Sequence, residues 1–352
     1  MKEILAEYPD KIKTYLNHLL EEKGNSYGRI NRWGKDVAER LKKFSTIGKM
    51  IRGSLVLFTQ EMYGKKNNDE SLKAAAAIEL FHSGLLIHDD IIDRDELRRG
   101  NPAVHYQYNK LGVDESLNNP QQFGISMGIC AGDIAFFIGF ELLSTLNIKH
   151  STKDKLLQLF SKEFTSVGLG QMQDIFFAES GQDPKEEDIL KLYLHKTARY
   201  TFSLPFMLGG LISDIREQEI TYLEKLGELL GLIFQIRDDE LGLFGEVIDF
   251  GKPIGSDIEE RKKTLFYLYL FKLAAEDEKN RLLTVFGSHN ISADSVKYVQ
   301  DLIIKYNIKQ IIHGRMLEYK RNAEKVISEM DIDGNYRNIL HNIIDFNLNR
   351  TK

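Results

Sequence analysis

Several short stretches of this chain carry side chains whose types and spacing suit phosphate chemistry. The first runs from His88 to Pro102, with Asp89, Asp90 and Asp93 followed by Arg98 and Arg99, directly after an apolar segment from Ala74 to Ile87. If one helix continues through the acids, Asp89 and Asp93 stand a turn apart on one face, and Asp90 points about 100° away. Carboxylates placed that way repel unless a cation lies between them. Hard divalent ions such as Mg²⁺ take oxygen ligands and complete their shell with water and substrate phosphates. Guanidinium groups such as those of Arg98 and Arg99 suit bidentate phosphate contacts. Metal ligands and phosphate ligands therefore sit side by side at the end of a greasy helix.

A second apolar segment also ends on paired acids. Phe234 to Gly242 reads Phe-Gln-Ile-Arg-Asp-Asp-Glu-Leu-Gly, and it is followed by Gly251-Lys252-Pro253, Asp257 and Arg261-Lys262-Lys263-Thr264. More cations stand in Gly48-Lys49-Met50-Ile51-Arg52 and in Lys196-Thr197-Ala198-Arg199. Each piece alone has an ordinary reading. A Lys/Arg pair is usually a solvated face, Gly-Lys-Pro a turn, His82 a hydrogen-bonded core histidine and Thr197 a back-bonded hydroxyl. The joint pattern is much harder to obtain by chance.

The elements that must position these residues are helical nearly everywhere. Periodicity predicts helices over 4–22, 35–44, 49–63, 124–146 and 151–179, with 111–123 as a loop. Asp183-Pro184-Lys185-Glu186 reads as a helix start for the segment carrying Tyr193 to Phe206. Further helices are expected over 220–243, 262–275, 292–325 and 336–347, with an irregular stretch between Gly245 and Ser256. Few runs alternate, so no sheet is expected, and no Pro-, Gly- or Ser-rich linker divides the chain. The expected architecture is a single all-α domain over 1–352, with antiparallel helices around a deep central cavity.

Composition limits the functional classes. Of 352 residues, 42% are apolar and six are proline, so a packed core is feasible and disorder is not expected. The net charge of −5 argues against a nucleic-acid binder. Cys130 is the sole cysteine, which excludes an intrachain disulfide and fits a reducing compartment. No secretory h-region is visible near the N-terminus, and no uncharged apolar run of about 18 residues suggests a span. A cytoplasmic protein is the expectation.

On these residues the sequence resembles the trans-isoprenyl diphosphate synthases, the head-to-tail chain-elongating prenyltransferases. The resemblance runs from about Gly48 to Thr264. It rests on Gly48-Lys49-x-x-Arg52, Asp89-Asp90-x-x-Asp93 with Arg98-Arg99-Gly100, Gly170-Gln171 with Asp174, Lys196-Thr197, Gln235-x-x-Asp238-Asp239 and Gly251-Lys252-Pro253. Gly242 departs from the usual third aspartate of the second motif, a variation that also occurs within the family. The resemblance implies an isoprenoid synthase type I fold and a homodimer. It implies Mg²⁺, three ions per site, held by Asp89, Asp93 and Asp238 with Asp90 and Asp239 in support. Arg98, Lys196, Lys252 and Lys262 would hold the allylic diphosphate (dimethylallyl, geranyl or farnesyl), and Lys49, Arg52, His82 and Arg99 isopentenyl diphosphate. Thr197, Gln235 and the backbone carbonyl near Lys196 would face the allylic cation.

Two rivals make different demands. A class I terpene cyclase has no need for a second diphosphate site, so Lys49, Arg52 and Arg99 argue against it. A non-catalytic regulatory subunit would be expected to lose acids that are all retained here. Product length is read from the residues before Asp89. Members that make short products commonly carry a bulky aromatic four or five positions earlier, where this chain has Leu85 and Gly84. The next large residue is Phe81, about 12 Å below the acids against about 7.5 Å for position 84. That depth predicts a twenty-carbon product, geranylgeranyl diphosphate, with farnesyl or geranylfarnesyl and longer products as alternatives.

Overall fold

The computed structural model describes residues 5–245, 254–288 and 290–350. Within them the regular structure is helical apart from one hairpin of two two-residue strands, and the chain divides into two compact units, Met1–Gln158 with Pro205–Arg216, and Leu159–Leu204 with Glu217–Lys352.

The first unit is built around α4 (Asp69–Ile92), which follows α1 (Tyr8–Tyr27), α2 (Arg32–Thr46) and α3 (Ile51–Met62). Asn68 and Ser71 start α4 with a reciprocal capping box, their bonds 2.8 and 3.0 Å long. Ala74 to Ile78, Leu80, Phe81 and Ile87 are all buried. A helix apolar on nearly every side is a core helix, and α4 packs on α1, α2, α3 and α6. After it come the hairpin strands β1 (Leu97–Arg98) and β2 (Asn101–Pro102), then α5 (Val104–Asp114) and α6 (Pro120–Ser144). Helix therefore occupies both ends of the segment expected to be a loop. Among the described residues α6 is the one helix long and apolar enough to cross a membrane by length and composition, though Asp133 and Glu141 interrupt it; it packs on α4 and α5.

The long α7 (His150–Glu179) begins in the first unit and continues in the second, and α9 (Leu204–Ile212) lies almost wholly in the first. The second unit holds α8 (Glu186–Tyr193), a π-helix (Leu194–Ser203) and α10 (Glu217–Phe244), the last packed on the π-helix. It continues with α11 (Ser256–Glu259), α12 (Leu265–Leu273), α13 (Glu276–Val285), α14 (Ala293–Lys305), α15 (Ile308–Glu329) and α16 (Gly334–Asn349). The helix expected over 262–275 starts only at Leu265, because Thr264 caps it through Tyr267 N. The helix expected over 292–325 is two helices, broken where Asn307 adopts φ 54°, a left-handed conformation that asparagine tolerates.

Candidate active site

In the first unit, α4 runs to Ile92 and Asp93 caps it, its amide donating to the Asp89 carbonyl at 2.8 Å. Asp89 and Asp93 are thus one turn apart at the helix end, both half-buried. Asp90 is fully buried. Arg98 Nε donates to Asp90 Oδ1 at 2.5 Å, and Arg98 also reaches Asp95 at 3.4 Å. Burial pushes the Asp90 carboxyl up to about 6 although Arg98 opposes the shift. The motif suggested Asp90 as a metal ligand; the helix turns it inward, where it serves as the counter-ion of Arg98. Asp89 and Asp93 offer only hard oxygens, a donor set that fits Mg²⁺ completing its shell with water and diphosphate oxygens.

The hairpin separates the two arginines. Arg98 lies on β1, while Arg99 (φ 54°) and Gly100 (φ 74°) form a turn with two positive φ angles. Arg99 thereby reaches Gly48, where an added Cβ would come within 2.8 Å of its Nη1. Met50, also left-handed, leads into α3. The Gly53 amide donates to Glu79 Oε1 at 2.8 Å. Burial raises the Glu79 carboxyl, opposed by Arg52 and Arg99. Burial, then Arg52, Arg99 and Arg98, hold the His82 imidazole well below its ordinary value. Arg52, His82 and Arg99 therefore share one electrostatic neighbourhood, and exposed Lys49 stands at its α3 end. Glu79 was missed by the motifs; the signal for it was a carboxylate one turn before His82 on an otherwise apolar helix.

Phe81 is fully buried, wedged where a Cβ on Gly139 would lie 2.7 Å from its ring. It stacks edge-on to Phe140 at 4.8 Å and lies 5.8 Å from Phe136. A Cβ on Gly84 would meet Phe136 at 2.6 Å and the Gly132 carbonyl at 2.9 Å. An aromatic ring from α6 thus covers the position left small on α4. Leu85 is half-buried.

In the second unit, Lys196 and Thr197 lie in the π-helix, a form found often at functional sites. The Lys196 ammonium pairs with Asp174 on α7. Thr197 is half-buried. Arg199 anchors the π-helix, binding Glu163 at 2.6 and 2.8 Å and Glu224 at 2.6 Å, and pairing with Glu228 as well. On α10, Gln235 Nε2 donates to Asp239 Oδ1 at 2.8 Å, and Tyr193 OH donates to Asp239 Oδ2. Burial, then the Asp257 charge, push the Asp239 carboxyl well up, against the pull of these two donors. Asp238 is more open and pairs with Arg350, whose guanidinium lies 4.0 Å over the Phe234 ring. Lys262 contacts Glu260 at 2.6 Å and Asp257 at 3.9 Å. Lys252 lies outside the described residues. Tyr193 and Arg350 have no motif to announce them; they reach the acids only through folding.

The chain matches the polyprenyl synthetase family over residues 35–303. It is 31% identical to the geranylgeranyl diphosphate synthase of Sulfolobus acidocaldarius over 315 residues, 88% of this chain and 89% of that one. It is 36% identical to a short chain isoprenyl diphosphate synthase of Methanocaldococcus jannaschii over 257 residues, 73% and 72% of the two chains. The crystal structure of a geranylgeranyl pyrophosphate synthase from Corynebacterium glutamicum, solved with isoprenyl diphosphate and magnesium, shares 27% identity and a TM-score of 0.91, covering 98% of this chain and 99% of that one. Matched by the family model over most of its length and 31% identical to one such synthase over 88% of its residues, the chain belongs to the polyprenyl synthetase family.

Proposed function

We propose that the protein condenses isopentenyl diphosphate with an allylic diphosphate, head to tail and with release of diphosphate, and that its product is geranylgeranyl diphosphate. The observation that carries this reading is in the first unit. Besides Asp89 and Asp93, which suit a metal-held diphosphate, Arg99 reaches Gly48 at the start of the segment that carries Lys49 and Arg52, a second group of cations. Elongation needs two diphosphate sites, and a cyclase needs one.

Asp89 and Asp93 in the first unit, and Asp238 in the second, are the residues that would hold Mg²⁺, and that ion would supply charge to offset the charge building on a leaving diphosphate. Arg52, Arg99 and Lys49 hold isopentenyl diphosphate by direct charge, and His82, kept neutral by burial and the same arginines, adds a hydrogen bond. As the allylic C–O bond breaks, its electron pair leaves with the diphosphate. The Thr197 hydroxyl and the Gln235 carbonyl oxygen face the carbon left cationic. The isopentenyl double bond attacks that carbon, a C–C bond forms, and the departing diphosphate takes the proton released. Water must be kept from that carbon, or the cation is quenched to an alcohol. The working form is a homodimer, supported by the apolar residues that α6 leaves in solvent: Phe137 is 71% exposed and Ile129 44%.

The test is incorporation of labelled isopentenyl diphosphate, with geranyl or farnesyl diphosphate and Mg²⁺, followed by sizing of the product. A twenty-carbon diphosphate is expected. Failure to incorporate label overturns elongation; product from an allylic diphosphate alone points to cyclisation.

A further inference from the structure

Tyr193 closes α8, and its phenol joins three pieces of the second unit. The hydroxyl accepts from the Leu265 amide at 3.0 Å and donates to Asp239 Oδ2. The other carboxylate oxygen, Oδ1, accepts from Gln235 Nε2 at 2.8 Å. Tyr193 and Asp239 are each 5% exposed. With its NH₂ end given to Asp239 Oδ1, the Gln235 amide turns its carbonyl oxygen away.

We propose that Tyr193 is a positioning residue for the reaction: through Asp239 it locks the Gln235 amide with its carbonyl oxygen presented to the allylic cation. The proposal rests on the elongation reading above, and it assigns Asp239 to orientation rather than to metal. A positive charge developing on carbon, away from water, is stabilised by a dipole already fixed in direction. An untethered glutamine would have to be oriented at the moment of reaction, at a cost in side-chain entropy. The Leu265 N–H matters for the same reason. It occupies the phenol oxygen as an acceptor and leaves the phenol's single proton for Asp239. Leu265 begins α12, so the relay also ties the start of that helix to α10.

Tyr193→Phe keeps the buried ring and deletes only the hydroxyl. We expect kcat to fall about tenfold, the scale of one oriented hydrogen bond. KM for isopentenyl diphosphate and calorimetric Mg²⁺ affinity should stay within about twofold, and more allylic substrate should emerge as prenyl alcohol. In a Gln235→Leu background the same substitution should cost less than about twofold, since the group it positions is gone. An undiminished loss in the double variant overturns the proposal, as does unchanged kcat in Tyr193→Phe. If Tyr193→Phe does not fold, Asp239→Asn replaces it. That change leaves one acceptor oxygen where Tyr193 and Gln235 each used one, so Gln235 loses its fixed orientation, and it should reproduce the kcat loss with Mg²⁺ affinity intact. A collapse of Mg²⁺ affinity in Asp239→Asn would return that residue to the metal set and end the proposal. Absence of elongation by the wild-type chain would instead sink the parent reading.

Discussion

Asp89 and Asp90 are neighbours in sequence and should fail in opposite ways. Asp89 is partly open at the end of α4, so Asp89→Ala should leave the fold intact and lower kcat by roughly two to three orders of magnitude, the scale of losing one preorganised charge contact. Asp90 is fully buried against Arg98. Asp90→Ala leaves a guanidinium with its buried partner removed, at a cost of about 3–5 kcal/mol. Urea unfolding and kcat measured on both variants check the division; a stable, inactive Asp90→Ala would restore it to the metal set. The spacing of the acids was legible in the sequence, and helical geometry already turned Asp90 away from Asp89. Arg350 was not legible. It stands 112 residues from Asp238 yet pairs with it, while Arg237 Nε holds the Arg350 carbonyl at 2.8 Å. An arginine on the carboxylate competes with a metal for it. Arg350→Ala should therefore tighten Mg²⁺ binding in a calorimetric titration and lower the melting temperature, since the end of α16 loses its side-chain contacts to Asp238 and Phe234 on α10 while the Arg237 bond to its carbonyl remains. Looser Mg²⁺ binding would show that Arg350 assists the metal instead.

At the scale of elements, α4 and α6 pack together around Gly84 and Phe81, where the proposed function puts the limit on a growing tail. The sequence named length residues on α4 and left the neighbouring helices unassigned, because periodicity shows which face a helix offers but not which neighbour fills it. The structure puts Phe136 over Gly84 and buries Phe81 against Gly139 and Phe140. Phe81→Ala should then cost stability, about 3–5 kcal/mol for a buried phenylalanine, rather than lengthen the product cleanly. Gly84→Phe would drive a side chain toward Phe136 and into the Gly132 carbonyl, a backbone atom with no room to move. Half-buried Phe136 is the better handle. Phe136→Ala should shift the product distribution upward by one or more isoprene units with folding preserved, as read by chromatography of the dephosphorylated products. An unchanged distribution would place the floor on other helices. The π-helix was equally hidden: an extra residue per turn leaves no mark on composition, and the apolar pattern from Tyr193 to Phe206 reads as ordinary helix.

At the scale of the whole molecule, the open question is what covers α6. Its apolar residues run around the helix, so sequence alone could not separate a core helix, a membrane span and a subunit contact. Packing separates part of the surface: Gly128, Gly132, Ala135 and Gly139 are buried, leaving Ile129 and Phe137 in solvent. Cys130 is exposed as well, and at seven residues' spacing it lies within about 20° of Phe137 around the helix. A helix half packed in protein, with Asp133 among its exposed residues, suits a second copy of the chain better than lipid. The homodimer reading then makes a paired prediction. The wild-type protein should sediment at twice the chain's mass without detergent, and the Cys130 thiol should react slowly with a thiol reagent. Phe137→Glu buries a charge in that contact, so it should sediment as a monomer and label at the rate of an open thiol. Cys130 is the sole cysteine, which makes the labelling rate a direct report on this face. Fast labelling of a wild-type dimer would move the contact to another helix, and a wild-type chain that stays in solution only with detergent would favour a membrane surface.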